Sequence, residues 1–162
     1  MKIVDIYTDG ACSGNPGAGG YGAVLLYGGV RREISAAYAR TTNNRMEILA
    51  AIVALEALKE SCRVNLHSDS RYLVDAIEKG WVTRWQAAGW MRNKKEAAQN
   101  ADLWERLLPL LARHKVRFIW VRGHADNAEN NRCDVLARAA IEAAQKEESF
   151  LDDEGYVGAE GL

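Results

Sequence analysis

The alternation of apolar and polar positions along the chain predicts five strands and four helices. Short stretches rich in valine, leucine, isoleucine and tyrosine predict strands near residues 3–9, 20–28, 30–39, 63–69 and 115–121. Longer stretches with helical periodicity predict helices near residues 43–60, 70–88, 100–113 and 129–145. Gly28 and Gly29 interrupt one apolar run, which is typical of a hairpin turn.

The order of these elements predicts how the strands pair. Hairpins join antiparallel neighbours, whereas helical crossovers join parallel ones. The first three strands should therefore form a meander, and strands four and five should join parallel to strand one. We expect an α/β fold with a mixed five-stranded sheet, three strands antiparallel and two parallel, flanked by helices.

A glycine-rich segment follows the first predicted strand. Gly17, Gly19 and Gly22 fit the G-x-G-x-x-G pattern of nucleotide-binding loops. Such a loop must open a helix, because the pyrophosphate sits at the helix N-terminus. The residues that follow, YGAVLLYGGVRREISAAY, predict a hairpin instead. We interpret the segment from Gly10 to Gly22 as a wide turn between two strands.

Two acids mark one edge of the predicted sheet. Asp9 and Asp69 end the first and fourth predicted strands, which we expect to be parallel neighbours. The carboxyl edge of such a sheet is where open α/β folds place their sites. Neighbouring strands lie roughly 4.8 Å apart, so two carboxylates there repel each other unless a cation lies between them.

Two further acids lie on predicted helices. At about 100° per residue, Glu47 falls opposite the polar face that Glu56, Lys59 and Glu60 mark. A carboxylate on an apolar helix face is costly to bury without a partner; an interaction with the helix dipole is the alternative. Asp134 lies at the edge of an apolar stripe on the last helix, where an exposed helix acid is the alternative.

The four acids together indicate hydrolytic chemistry assisted by a hard cation. Clustered carboxylates bind Mg²⁺, which also accepts phosphate oxygens of a substrate. Two such ions about 3.5–4 Å apart can activate a water and stabilise the leaving oxygen of a phosphodiester. His124, beside Gly123 in a predicted loop, is a candidate proton carrier because an imidazole titrates near neutral pH.

Composition sets the outer limits. A chain of 162 residues, 48% apolar and 27% charged, is ordinary for one globular domain. No stretch is apolar enough for a signal peptide or a membrane span. Three cysteines without a C-x-x-C motif fit free thiols, so we expect a cytoplasmic protein.

The net charge of −1 hides an uneven distribution. Residues 147–162 carry six acids and no base, and without them the formal charge would be +5. We expect a solvated acidic tail there and assign residues 1–146 to one domain. Residues 81–95 carry four bases and no acid, together with Trp81, Trp85 and Trp90. Such a cluster can grip a phosphate backbone; core packing of the tryptophans is the alternative.

Five segments resemble bacterial ribonuclease H of type 1, in order and over about residues 3–145. They are YTDGACSGNPGAGGYGAVL, TTNNRMEILAAIVALEAL, HSDSRYLVDAI, DLWERL and WVRGHADNAENNRCDVLAR. The resemblance implies a monomeric endoribonuclease that cuts the RNA strand of RNA–DNA hybrids and leaves 5′-phosphate and 3′-hydroxyl ends. It also implies Mg²⁺ as the cofactor, with Mn²⁺ as a substitute and one or two ions per site.

The resemblance also assigns residues to roles. The metal-binding acids fall on Asp9, Glu47, Asp69 and Asp134, and the flexible-loop histidine falls on His124. Contacts to the RNA strand in the minor groove match Cys12, Asn15, Asn43, Asn44 and Arg71. Contacts to a DNA phosphate match Arg40, Thr42 and Asn100. The segment with Trp81 and Trp85 matches the family's basic protrusion, which contacts the DNA strand. The segment from Gly10 to Gly22 then becomes a substrate wall.

Two departures from the family pattern concern substrate binding. The protrusion reads WQAAGW where relatives often carry several bases, and Arg71 stands where a glutamine is common. Two alternatives to the ribonuclease also stay open. Another nuclease or integrase of the same fold would lack SGNPG and TTNN, and a catalytically idle hybrid-binding module would not need the intact acids.

Overall fold

The computed structural model describes residues 1–123 and 125–158. Its five strands are β1 (Lys2–Ser13), β2 (Gly17–Tyr27), β3 (Val30–Thr41), β4 (Cys62–Ser68) and β5 (Lys115–Trp120). They form one sheet in the order β3-β2-β1-β4-β5. The first three strands are antiparallel, and β4 and β5 run parallel to β1. The predicted fold class and topology are confirmed.

Helices cover both faces of the sheet. They are α1 (Asn43–Glu56), α2 (Arg71–Glu78), α3 (Trp81–Ala87), α4 (Ala101–Arg113) and α5 (Ala128–Glu147). α1 packs on one face of β1 and β2, and α5 packs on the other. The main core lies between the sheet, α1 and α4, with Trp104 and Ile52 fully buried. None of the helices in the described ranges combines the length and apolar character needed to cross a bilayer.

The predicted helix at residues 70–88 is two helices. Gly80 has φ of 74°, a left-handed conformation that ends the first helix and precedes the second. Glycine adopts this conformation without steric cost, so the chain turns here. The first predicted helix is also shorter than expected, since α1 ends at Glu56 rather than near residue 60.

The wide turn expected between Gly10 and Gly22 is wrong. β1 continues to Ser13 and β2 begins at Gly17, so only residues 14–16 form the turn. The glycines instead let helices approach the sheet closely. A Cβ at Gly22 would overlap the carbonyl oxygen of Cys133 on α5, and a Cβ at Gly10 would lie 2.7 Å from the Glu47 amide nitrogen on α1.

The described part of the acidic tail is attached to the domain. The Leu151 backbone pairs with edge strand β3 at Tyr38, and the Asp153 side chain is only 7% exposed. A solvated tail is therefore the wrong expectation for Asp153, because Arg45 offers it a buried positive charge. The Leu151 side chain stays exposed, and only its backbone pairs with β3. The division of the chain at residue 146 stays a prediction, and residues 159–162 lie outside the described ranges.

Candidate active site

Three of the four predicted acids form one cluster. Asp9, Glu47 and Asp69 each offer a carboxylate oxygen, and these oxygens lie within 4.8 Å of one another. The parallel pairing of Thr8 with Ser68 brings Asp9 and Asp69 to adjacent positions on β1 and just after β4. Gly10 lets the first turns of α1 carry Glu47 against the same point.

The cluster is buried and electrostatically strained. Burial and the nearby charges of Asp69 and Asp134 raise the pKa of Asp9 to about 8. Burial, and then the charges of Asp9 and Asp69, raise the pKa of Glu47 well above its ordinary value. Within the described ranges, Glu47 Oε1 is buried without a hydrogen-bond partner. An unpartnered buried oxygen among repelling carboxylates fits a hard cation as the missing partner.

Asp134 lies on the rim of the same cleft rather than inside the cluster. Its carboxylate accepts hydrogen bonds from Arg138 Nε at 3.0 and 3.1 Å, one turn further along α5. Both residues line a cleft of about 520 Å³ together with Asp9, Glu47 and Asp69. Asp134, the fourth predicted acid, therefore lies beside the cluster, and it forms an ion pair with Arg138.

Four of the five residues matched to RNA contacts border this cleft. Cys12, Asn43, Asn44 and Arg71 line its wall. Asn15 lies in the exposed turn between β1 and β2, and its Oδ1 accepts a hydrogen bond of 3.0 Å from the Asn43 backbone N–H. This bond fixes the hairpin turn to the start of α1, so the two segments present their polar groups together.

Two of the three residues matched to DNA-phosphate contacts, Thr42 and Asn100, line a second cavity. This cavity of about 720 Å³, here called the α1–α4 pocket, is lined by the helix N-caps Thr42 and Asn100. Two helix N-termini thus open on one cavity, and helix N-termini attract anions. Asn100 Nδ2 donates to the Tyr72 hydroxyl at 3.1 Å, which orients its amide. Arg40 is exposed near the end of β3.

The tryptophans of residues 81–95 pack against the core, as one of the two alternatives had it, whereas phosphate binding by this segment stays a prediction. Trp81 and Trp85 are half-buried against the core, and the Trp85 ring lies 6.4 Å from the buried Trp104 ring. The bases of the segment lie outside this aromatic contact and are exposed. Arg92 pairs with Glu96 at 2.6 Å, immediately beyond the acid-free stretch. The segment is therefore less basic than its composition indicates.

His124 lies outside the described residues. Its neighbour Gly123 is described, and a Cβ there would lie 2.7 Å from Asp69 Oδ2. The chain before His124 therefore runs directly beside the carboxylate cluster.

Three residues that hold site residues in place by hydrogen bonds were not predicted from the sequence. The site residue Asn100 hydrogen-bonds to Arg45 and to Tyr72, and the site residue Asp69 hydrogen-bonds to Trp120. The partners in these bonds lie 28 to 55 residues apart in the sequence. Such pairings leave no periodic signal in the sequence. Arg138 had a detectable signal, because it lies four residues after Asp134 on a helix and such pairs meet.

Comparisons with known proteins identify what this architecture is similar to. A family model described as RNase H matches residues 1–142. The ribonuclease H of Syntrophus aciditrophicus is 63% identical over 96% of this chain and 88% of its own. The ribonuclease HI of Synechocystis sp. is 58% identical over 94% of each chain.

Solved structures give the same answer. The crystal structure of LC9-RNase H1 has a TM-score of 0.79 and 34% identity, and covers 88% of this chain and 74% of its own. The crystal structure of LC11-RNase H1 in complex with RNA/DNA hybrid has a TM-score of 0.69 and 26% identity, and covers 88% of this chain and 99% of its own.

Proposed function

Since the chain belongs to the ribonuclease H family, we propose that it cuts the RNA strand of RNA–DNA hybrids. The products would carry 5′-phosphate and 3′-hydroxyl ends. The observation that carries this proposal is the buried cluster of Asp9, Glu47 and Asp69 in a cleft bordered by polar hairpin and helix residues. A neighbour of the same fold, LC11-RNase H1, was solved with such a hybrid.

The cofactor that we propose is Mg²⁺, with Mn²⁺ as a substitute and one or two ions per site. Asp9, Glu47 and Asp69 would hold it, and Asp134 would contribute from the rim. When bound, the metal would supply the charge that activates a water and stabilises the leaving oxygen. The raised pKa of Asp9 means that this carboxylate must release a proton to accept the cation.

The hairpin turn and the start of α1 would recognise the RNA strand. Asn15, Asn43 and Asn44 present amide groups beside the cleft, and amides can hydrogen-bond to 2′-hydroxyls. The wide minor groove of an A-like duplex displays those hydroxyls, so this wall distinguishes RNA from DNA. Cys12 and Arg71 would complete the contact from the same cleft.

The α1–α4 pocket would bind a phosphate of the DNA strand. Thr42 and Asn100 line it as the N-caps of two helices, and Arg40 lies nearby in sequence. The protrusion with Trp81 and Trp85 would contact the DNA strand further along. Binding both strands at separate places explains how a hybrid is selected over single strands.

His124 is proposed to move a proton during turnover. The residue before it, Gly123, lies beside Asp69 of the proposed metal site, and an imidazole can exchange protons near neutral pH. We also propose a cytoplasmic location, since Cys12, Cys62 and Cys133 are free thiols, and a monomer, as the resemblance to the family implies.

A strand-specific cleavage assay tests the function. An RNA–DNA hybrid labelled on either strand is incubated with Mg²⁺, beside double-stranded DNA and single-stranded RNA. Cleavage of only the RNA of the hybrid supports the proposal. Equal cleavage of double-stranded DNA would favour another nuclease of this fold, and binding without cleavage would favour an idle hybrid-binding module.

A further inference from the structure

After α5, the described C-terminal residues return to the edge of the sheet. The Leu151 N–H donates to the Ala37 carbonyl at 3.0 Å, and the Leu151 carbonyl accepts from the Ala39 N–H at 2.8 Å. Residues 149–158, here called the C-terminal strap, therefore meet the edge of β3 at Leu151. This edge leads to Thr41 and Thr42, at the entrance to the α1–α4 pocket.

Asp153 anchors the strap to a buried arginine. Its Oδ2 lies 2.7 Å from Arg45 Nε, and its Oδ1 lies 3.0 Å from Arg45 Nη2. The two side chains are only 7% and 4% exposed. The Thr41 hydroxyl also donates to Asp153 Oδ2 at 2.6 Å. A buried pair with this many hydrogen bonds is costly to break by removing one partner.

Arg45 also links Asp153 to residues that line the pocket. Its Nη1 and Nη2 donate to Asp102 at 2.9 and 2.6 Å, and Nη1 approaches the Asn100 amide oxygen at 3.4 Å. Asn100 is the N-cap of α4, so the guanidinium joins Asp153 to one of the two helix N-termini. Gly155 packs so tightly here that a Cβ would overlap the Asp102 carboxylate.

The strap closes one side of the α1–α4 pocket. Thr42, Arg45 and Asn100 line the cavity from the domain, and residues 155–158 line it from the strap. Tyr156 supplies a half-buried aromatic ring to this wall. An aromatic ring beside an anion pocket suits a sugar–phosphate backbone, since the ring can pack on the sugar while N–H groups hold the phosphate.

We propose that the C-terminal strap is the outer wall of the site for a DNA-strand phosphate. Asp153 is a positioning residue that acts through Arg45 on Asn100, and Tyr156 contacts the sugar–phosphate backbone directly. The inference rests on the proposed function and extends it, because it gives the acidic C-terminal segment a part in substrate binding.

The acidity of the strap also suggests the opposite role, in which it competes with the hybrid. The buried contacts of Asp153 argue against competition. A competing strap would have to leave the pocket, and leaving would break both hydrogen bonds between Arg45 and Asp153 and the bond from the Thr41 hydroxyl. The negative charge of Asp153 is directly paired with the guanidinium, whereas Asp152 and Glu154 are exposed to solvent.

The test compares five full-length variants with the wild type on one hybrid sequence. Asp153→Asn removes the charge that holds Arg45, and Gly155→Ala inserts a methyl group into the Arg45–Asp102 pair. Gly29→Ala is the matched control, because a Cβ there meets nothing within 4 Å. Tyr156→Ala is read against Tyr156→Phe, which keeps the ring. Cleavage kinetics are combined with hybrids that carry one neutral methylphosphonate at successive positions of the uncut DNA strand.

Asp153→Asn and Gly155→Ala should raise KM about tenfold, a change of ~1.4 kcal/mol, while kcat at saturating hybrid stays near wild type. A methylphosphonate at one position of the DNA strand should weaken hybrid binding by the wild type and by Gly29→Ala. The same methylphosphonate should weaken binding less in Asp153→Asn and Gly155→Ala. Tyr156→Ala should raise KM and Tyr156→Phe should not.

Three results would overturn the inference. Unchanged KM and an unchanged methylphosphonate profile would exclude a wall, and a lowered KM would show competition. A fall in kcat that follows the melting temperature, with the profile intact, would mean that the strap only stabilises the fold. If the wild type failed to cut the hybrid at all, the proposed function itself would fail, which is a separate outcome.

Discussion

The Arg71 guanidinium stacks on the Trp120 indole ring, with its central carbon 3.8 Å from the ring centroid. Trp120 ends β5, and its Nε1 donates to the Asp69 carbonyl at 3.1 Å. Trp120 therefore contacts both Asp69 of the carboxylate cluster and Arg71, a position where the family resemblance implies that glutamine is common. A fixed cation beside the cleft suits an RNA phosphate better than a neutral amide does.

Replacing Trp120 should weaken hybrid binding through Arg71. Trp120→Leu removes the stacked ring, and Trp120→Phe keeps an aromatic face. An exposed cation–π contact contributes about 0.5–1 kcal/mol, so Trp120→Leu should raise KM roughly two- to fivefold, with a smaller rise for Trp120→Phe. When Arg71 is already replaced by glutamine, Trp120→Leu should change KM little. Additive effects of the two changes in steady-state kinetics would show that the stack plays no part in binding.

The protrusion should contribute salt-dependent binding through its exposed lysines. Replacing Lys94 and Lys95 with alanine should flatten the dependence of log Kd on log salt by roughly one unit per lost phosphate contact. Arg92→Ala should change the slope less, because Glu96 already pairs with that guanidinium. Titrations at several salt concentrations measure the slope. Identical slopes for the wild type and the double variant would place the protrusion away from the backbone.

The stability of the metal-free protein should fall as the pH rises. Asp9 has a folded-state pKa of about 8 against an ordinary value of 3.8, so folding takes up a proton between these values. The stabilising contribution of that proton is complete below the unfolded pKa and is lost as the pH rises through about 8. Melting temperatures in chelator should show this trend. Asp9→Asn should flatten it, and saturating Mg²⁺ should offset the loss, since metal binding replaces the proton.

His124→Ala should slow turnover without abolishing it. A proton carrier contributes about 10²–10⁴-fold in typical enzymes, and a metal ligand would instead change affinity for the ion. Calorimetry with Mg²⁺ should therefore give nearly the same affinity for the variant and the wild type. His67→Ala is the control, because His67 stacks on Tyr7 away from the cleft. A large loss of Mg²⁺ affinity in His124→Ala would assign the imidazole to the metal instead.

The sheet and the three clustered acids could be predicted because their signals are local. Alternating strands, helical crossovers and the position of Asp9 and Asp69 at strand ends are enough to bring those carboxylates together. Glu47 was detectable as a charge on the apolar face of a helix. Ten residues of that helix, α1, are buried. The helix break at Gly80 also had a local signal, since glycine permits the left-handed turn, but helical periodicity continued across it.

The rest of the site could not be predicted because it depends on pairings distant in sequence. Asp153 and Arg45 are 108 residues apart, and only the approach of the chain end to β3 brings them together. The six acids of the last residues look alike in composition, so nothing in their order distinguishes Asp153 from its solvated neighbours. Arg71 and Trp120 meet only because β4 and β5 are adjacent in the sheet.

The most direct test of the central claim separates binding from cleavage in Asp9→Asn. The substitution keeps the size of the side chain and removes one charge from the cluster, so the remaining acids should hold or place Mg²⁺ poorly. Hybrid binding should survive, because Asn15, Asn43 and the α1–α4 pocket lie outside the change.

The measurement is cleavage of an end-labelled RNA–DNA hybrid by wild type and Asp9→Asn in Mg²⁺, with Kd determined for both proteins on the same hybrid. Wild type should cut only the RNA strand. Asp9→Asn should bind with similar or tighter affinity and lose several orders of magnitude in rate. Cleavage by Asp9→Asn at near wild-type rate would show that the carboxylate cluster is not the catalytic metal site.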